Sequence, residues 1–267
     1  MYYNYKKGII NPFFRIKKEA LKTESGIKIP NRWALLNAKT NSLLGIMSAD
    51  YEVVLNSQVA KLFDEALKDY EVDKIGDYLD NLQRRWKRRI ILKGDKVTFE
   101  VDKDDPVTIV VEIFNGYDVR SSFGYELLAC RIICENELLM GRRNIFKESY
   151  SHFIDNPKKL QFSIEMKFDY FKENVKIWQK WTKEKRTKDD FINFVNKREY
   201  LSEKIKEEVI EGYDLVMNRF GVDSKWGHFN ILAYLATHQT KARVGSYLFS
   251  NRYKLFERMI EEYYNEE

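Results

Sequence analysis

VDKIGDYLDNLQRRWKRRIILKGDKVTFEV, residues 72–101, carries the pattern on which the fold assignment turns. Its first part spaces Ile75, Tyr78, Leu79, Leu82 and Trp86 three or four positions apart, which lines side chains up along one face of a helix. That spacing predicts a helix over 72–89 ending in the run Arg84-Arg-Trp-Lys-Arg-Arg89. Residues 90–101 then read as two short strands turned at Gly94-Asp95, a hairpin signal.

Upstream, Trp33 to Ala38 and Leu43 to Met47 flank the turn pair Thr40-Asn41 and read as a second hairpin. Asn56-Ser57 offers an N-cap before Val59, Leu62, Phe63 and Leu67, which are apolar at helical spacing. The chain before Pro30 is basic without a clean period, carrying Lys6, Lys7, Arg15, Lys17, Lys18 and Lys22 against Glu19 and Glu24, and reads as an irregular arm. Downstream, 107–114 and 124–134 are β-rich and joined by Asn115-Gly116-Tyr117-Asp118, read as a turn in which Asp118 and Asn115 bond their own backbone.

After Gly141 the pattern turns helical, over 162–181, 189–196, 202–220, 226–240 and about 246–264. Strands first and helices afterwards predict an α+β fold: a mainly antiparallel sheet of about six strands with one or two helices, then a helical C-terminal half. The expected organisation is a basic arm over 1–30, a sheet region over 31–145 and a helical region over 146–267, the last two packed as one globular unit.

Among the 267 residues, 46 Lys+Arg against 41 Asp+Glu give a net charge of +5, and 44% hydrophobic content supplies a core, which excludes collagen and a disordered chain. No apolar run approaches the roughly 18 to 20 residues of a bilayer-spanning helix, and no secretory h-region opens the chain, so a soluble cytoplasmic protein is expected. Cys130 and Cys134 read as small buried hydrophobes of a reducing compartment. With His152, His228 and His238 unpaired in sequence, no metal and no cofactor are expected.

Four stretches resemble a known family. Leu44-Gly-Ile-Met-Ser-Ala-Asp-Tyr51 with Val54 and Asn56, Asn115-Gly-Tyr-Asp118, and Ile133-Cys-Glu-Asn-Glu-Leu138 are similar to its opening motif, central turn and following strand. Trp226-Gly-x-x-Asn230 with Tyr234 and His238 is similar to its C-terminal helix. The family is the phage- and plasmid-associated domain of unknown function 932, and the resemblance spans about 44–260. Asp118-Val119 departs from its Asp-Gly pair, and Tyr234 stands where an acidic residue is frequent. The resemblance implies DNA metabolism on mobile elements and names no reaction.

The sequence shows no P-loop, no GxGxxG after a strand, no GxSxG and no HExxH, and its acidic clusters 102–105 and 189–190 read as solvated loops, so no catalytic residue is assigned. Trp226, Asn230, Tyr234 and His238 share one helix side and read either as a packed face or as the lining of a groove. The functional signal is basic and aromatic residues interleaved. Arg84, Arg85, Trp86, Lys87, Arg88 and Arg89 form one set; Arg120 with Arg142, Arg143, Lys147 and Tyr150 a second; Lys180, Trp181, Lys183, Lys185 and Arg186 a third.

Cations that follow phosphates, beside rings on which unpaired bases stack, are what single-strand binding requires. Trp178 is expected to point inward and Trp181 outward as such a platform. The expected function is therefore single-stranded DNA binding in replication or recombination of a phage or other mobile element, by coating or annealing strands. Replication or recombination proteins are expected to engage the acidic C-terminus, Glu257 to Glu267. The alternatives are a nucleic-acid-processing enzyme and an antirestriction interaction protein.

Overall fold

The computed structural model describes residues 11–118, 122–132, 136–138, 147–150, 155–220, 223–239 and 247–266. A three-stranded antiparallel sheet comes first, with β1 (Ile16–Lys22), β2 (Lys28–Asn37) and β3 (Leu43–Ser48) in the order β1-β2-β3. Helix α1 (Asn56–Ala66) leads into a seven-stranded sheet. That sheet holds β4 (Glu71–Leu79), β5 (Arg85–Lys93), β6 (Thr98–Asp102), β7 (Asp105–Gly116), β8 (Phe123–Arg131), β9 (Asn136–Leu138) and β10 (Lys147–Tyr150). Its order is β10-β8-β7-β5-β4, with β6 also on β7 and β9 also on β8. The helices α2 (Pro157–Trp181), α3 (Lys188–Asn196), α4 (Glu203–Phe220), α5 (Lys225–Tyr234) and α6 (Asn251–Tyr264) complete an α+β fold.

Residues 72–89 are two strands of a hairpin rather than a helix. Asp80 makes the turn: its Oδ1 accepts from the backbone N–H of Arg84 and Arg85 at 2.6 and 3.0 Å, while Gln83 takes a φ of 58°. The apolar spacing that mimics a helix straddles this turn. What decides the matter is β7, VTIVVEIF within 107–114, whose backbone needs a hydrogen-bonded neighbour on each side. Strand β5 supplies one, with Arg85 opposite Gly116 through Ile91 opposite Val110.

The 90–101 hairpin is also corrected. Strands β5 and β6 do not pair with each other; they lie end to end along one edge of β7, separated by a turn at Gly94, whose φ is 102°. The hydroxyl of Thr108 on β7 lies 2.7 Å from the Leu92 carbonyl and 3.1 Å from that of Val97, closing the gap from below. Two sheets therefore replace the single one expected. The N-terminal arm is not irregular either, since β1 pairs with β2 from Ile16 opposite Asn37 to Lys22 opposite Lys28.

The helical half follows its periodicity closely. Asn156, Thr187, Ser224 and Ser250 cap α2, α3, α5 and α6 through their side chains, and Pro157 occupies the first turn of α2 where its missing N–H costs nothing. One continuous core runs from Val59 through the large sheet to Tyr264. Buried polar ties fasten the helices to the sheet. Asp105 accepts from Arg131 at 2.6 and 2.8 Å and from the Trp226 indole at 2.9 Å, and Tyr125 meets Ser163 and Glu148 at 2.8 and 3.0 Å.

Candidate nucleic-acid interface

In a strand, successive side chains alternate between faces, and this splits the run Arg84 to Arg89. Trp86 and Arg88 point to one side, where Asp77 on β4 receives both: the Trp86 indole donates at 2.8 Å, and Arg88 donates from Nε and Nη2 at 3.0 Å each. The Arg88 guanidinium, fully buried, also faces the rings of Phe13 and Trp86 at 5.1 and 5.6 Å. Lys87 and Arg89 point to the other side and converge on Glu112 of β7 at 2.5 and 2.6 Å, and Arg89 reaches the Tyr253 hydroxyl on α6 at 2.9 Å. Burial pushes the Glu112 carboxyl up, but Lys87 and Arg89 more than offset it and hold it at about 2. Arg85 is taken by Asp118 at 2.6 Å.

A buried charge persists only where it is paired and hydrogen-bonded. The run is thus a set of ties across the sheet, and Trp86, Arg88 and Arg89 are withdrawn from solvent, contrary to the nucleic-acid-binding role that the sequence suggests for them. Arg85 and Lys87 remain at the edge of a cavity of about 330 Å³, where Lys147 joins them with its ammonium 5.0 Å from the Phe114 ring centre. So two of the three sequence clusters meet. They meet beside Glu112, Glu126 and Glu257, so the charges of the described lining residues nearly cancel.

Tyr150 gives its hydroxyl to Glu148 at 2.6 Å and packs on Phe123. Arg120, Arg142 and Arg143, like Cys134 and His152, lie outside the described residues. In the third cluster Lys180, Lys183 and Lys185 are exposed, while Arg186 bonds Glu184. Trp181 is buried beside Phe229 and Tyr264 at 5.4 and 5.1 Å, and Trp178 is buried beside Trp226 at 5.4 Å. Both indoles are core, so Trp181 is not the outward platform expected of it. This cluster sits at the C-terminal end of α6, while the cavity takes Lys254 near its start; at 1.5 Å per residue the two are about 15 Å apart.

The larger basic and aromatic surface lies elsewhere. A groove of about 780 Å³ between the two sheets is lined by Phe13, Phe14, Arg15, Asn37, Lys39, Thr40 and Gln83, with no carboxylate among the described residues of its walls. Asn37 floors it, donating its amide to Gln83 at 2.9 Å and accepting from the backbone of Lys39 at 2.9 Å. Phe13 is steadied edge-on by Trp86 and Phe14 by Tyr117, each at 6.0 Å. The β1-β2 ribbon rises from this groove, and every residue of 22–32 is exposed. Lys17 pairs with Glu19 at 2.6 Å, and the Lys18 ammonium is held by the Tyr51 carbonyl. Among the described residues no ion pair engages Arg15, Lys22, Lys28, Arg32 or Lys39. Sequence reading noted the basic arm but not Phe13, Phe14, Asn37, Lys39 and Gln83. The signal available was Phe13-Phe14-Arg15 directly before the basic strand.

The short motifs prove to touch one another. Asn115 donates its amide to the Val54 carbonyl and to Asn56 Oδ1, both at 2.9 Å, and the Tyr117 hydroxyl accepts from the Asn56 backbone at 3.0 Å. Asn56 in turn donates to the Pro12 carbonyl at 2.9 Å, so it clasps the N-terminal segment rather than capping α1. Gly45 lies so close to the Tyr117 carbonyl that any Cβ there would overlap it. Asn115 and Asp118 therefore bond across the fold, Asn115 to Val54 and Asn56 and Asp118 to Arg85. Trp226 and Asn230 are buried at the start of α5, with the Asn230 amide on the Trp226 carbonyl at 2.9 Å, and the Tyr234 and His238 rings pack at a tilt of 38° with centres 4.6 Å apart.

A family model described as Domain of unknown function (DUF932) matches residues 43–258 and takes in all four motifs. The chain belongs to this family. No curated protein and no solved structure matches the chain. The DUF932 match covers the clasp and both sheets from β3 onward, while β1, β2 and the Phe13-Phe14-Arg15 segment precede it. Among the described residues no three His, Cys, Asp or Glu side chains are grouped to hold a metal ion, and no helix is long and apolar enough to cross a membrane.

Proposed function

We propose that this DUF932 protein binds single-stranded DNA, coating or annealing exposed strands during replication or recombination of a phage or other mobile element, in the host cytoplasm and without catalysis. The observation that carries this reading is the groove lined by Phe13, Phe14, Arg15 and Lys39 and continued by the ribbon cations Lys22, Lys28 and Arg32. The half-buried Phe14 ring offers a face to an unpaired base, while Arg15 and Lys39, without ion-pair partners among the described residues, lie beside it to follow the phosphates; each stacked base contributes about 1 to 3 kcal/mol. Exposed Lys180, Lys183 and Lys185 add a separate basic segment on the helical side. The acidic C-terminus is the proposed contact for replication or recombination proteins, through Glu261 and Glu266, since Glu262 is engaged by Arg198 and Arg258 at 2.9 and 2.8 Å.

The test is a mobility-shift comparison of single-stranded DNA, duplex and RNA across a salt series, repeated with Arg15→Ala/Lys39→Ala. Single strands are expected to bind most tightly, with a log–log salt slope of about −0.7 per phosphate neutralised. Tighter duplex binding at equal salt, or an unchanged affinity in the double variant, overturns the reading. Metal-dependent cleavage of labelled DNA would instead indicate a processing enzyme, and tight binding to a host defence protein without DNA affinity an antirestriction role.

A further inference from the structure

Helix α2 buries Leu160, Ile164, Phe168, Phe171, Val175 and Trp178 on its inner side. Its outer side is not uniformly polar. Phe162, Met166 and Tyr170 are 64%, 49% and 51% exposed, and their spacing of one turn each makes them a single row along the helix. Scattered surface apolar residues are ordinary, but a contiguous row bounded by charge marks a contact surface.

The row has a symmetry that selects its occupant. Phe162 and Tyr170 stand one turn before and one turn after Met166, and Lys159 and Glu173 stand two turns before and after it. At 100° per residue all five fall within about 40° of the direction of Met166. If a second copy of α2 lies antiparallel across the first, with the two-fold axis through Met166, each Phe162 meets a Tyr170 and each Lys159 meets a Glu173. An isologous contact requires this self-complementarity, in which residue i meets j and j meets i. The Lys159 ammonium has no partner among the described residues of its own chain, and Glu173 has only the exposed Lys176 at 2.7 Å. Both charges are thus available to a neighbour.

We propose that the outer face of α2 is a homodimer interface in which two copies pair antiparallel about Met166. The contact is one helix face per subunit, so it forms and dissociates over the micromolar range. It faces away from the core side of α2 and uses none of the groove or ribbon residues, so it stands independently of the nucleic-acid reading.

Light scattering after size exclusion, run from low to high micromolar protein, reads the association directly. The native chain is expected to move from monomer to dimer, and Met166→Arg to remain monomeric throughout with an unchanged melting temperature. Lys159→Glu is expected to weaken the dimer at least about tenfold, and Lys159→Glu combined with Glu173→Lys to restore it, because the swap reinstates opposite charges. On the axis, Met166→Cys places two thiols together, so oxidation with copper phenanthroline should yield a covalent dimer that the native chain, under the same treatment, does not give. A native chain that stays monomeric with no Met166→Cys cross-link overturns the proposal. A dimer that survives Met166→Arg overturns it equally, since another surface would then hold the copies together.

Discussion

The run at 84–89 and the ribbon at 15–32 are both dense in Lys and Arg, and the fold treats them oppositely. In the run, Arg88 and Arg89 are buried and matched by Asp77 and Glu112. In the ribbon, Lys22, Lys28 and Arg32 are exposed and have no ion-pair partner among the described residues. The difference arises from strand position. Strand β5 is flanked on both sides, by β4 and β7, so its cations have carboxylates directly across the ladder, Asp77 opposite Arg88 and Glu112 opposite Arg89. Strand β1 is an edge with water on its free side, and on the central strand β2 Lys28 stands opposite Lys22 and Arg32 opposite Ser48, so these cations have no carboxylate directly across the ladder. Charge density along a sequence thus measures the availability of cations only where strand neighbours are known.

The sharpest way to break this contrast is to remove one partner of a buried pair. Arg88→Ala leaves Asp77 without its bidentate cation, and Glu112→Gln leaves Lys87 and Arg89 facing a neutral amide. Each is expected to cost about 3 to 5 kcal/mol in urea unfolding, as for other broken buried pairs. Nucleic-acid affinity of the folded fraction should stay unchanged. A normal stability together with abolished binding would return the run to the binding surface.

Trp181→Ala is expected to cost about 3 to 5 kcal/mol, because it opens a cavity between Phe229 and Tyr264. Oligonucleotide should leave the fluorescence of this indole unquenched. Quenching that disappears selectively in the Trp181→Ala variant would place the ring at the surface after all.

His228 supplies a third kind of buried polar group. Neither ring nitrogen has a hydrogen-bond partner among the described residues, and Phe191, Tyr213 and Tyr263 surround the ring at 5.3, 5.5 and 6.2 Å. Burial pushes the imidazole down to about 4, Asp190 and Asp223 opposing this and Arg186 adding to it. The folded pKa lies below the unfolded value of about 6.5, so the unfolded chain takes up the proton first. Stability is therefore full above pH 6.5, falls by about 1.4 kcal/mol per pH unit below it, and levels off near pH 4. Thermal unfolding against pH should show this limb, and His228→Phe should flatten it. An unaltered limb would assign the acid sensitivity to carboxylates instead.

The smallest stability effect belongs to the ribbon. Lys22→Ala, Lys28→Ala and Arg32→Ala together should change unfolding by no more than about 0.5 kcal/mol each, as surface substitutions do. Binding should weaken for all sequences alike, with the salt slope reduced by about 0.7 for every phosphate that is no longer neutralised. A drop in stability at unchanged affinity would reverse the comparison between the two basic segments.

What the sequence determined by itself is the helical half, the α+β class and the family. Helices α2 to α6 close their hydrogen bonds four residues along the chain, and their signals are equally local: Pro157 after Asn156, Thr187 before Asp190, and the apolar row from Leu160 to Trp178. The tertiary structure alone decided that 72–89 is a hairpin, that Arg88 and Arg89 are buried, that Trp181 faces the core, and that Phe13, Asn37, Lys39 and Gln83 share one groove. A strand has no partner within itself. Its identity, its register and the company its charges keep depend on residues far away in the chain, such as Asp77 for Arg88, Glu112 for Arg89 and Tyr253 beyond them.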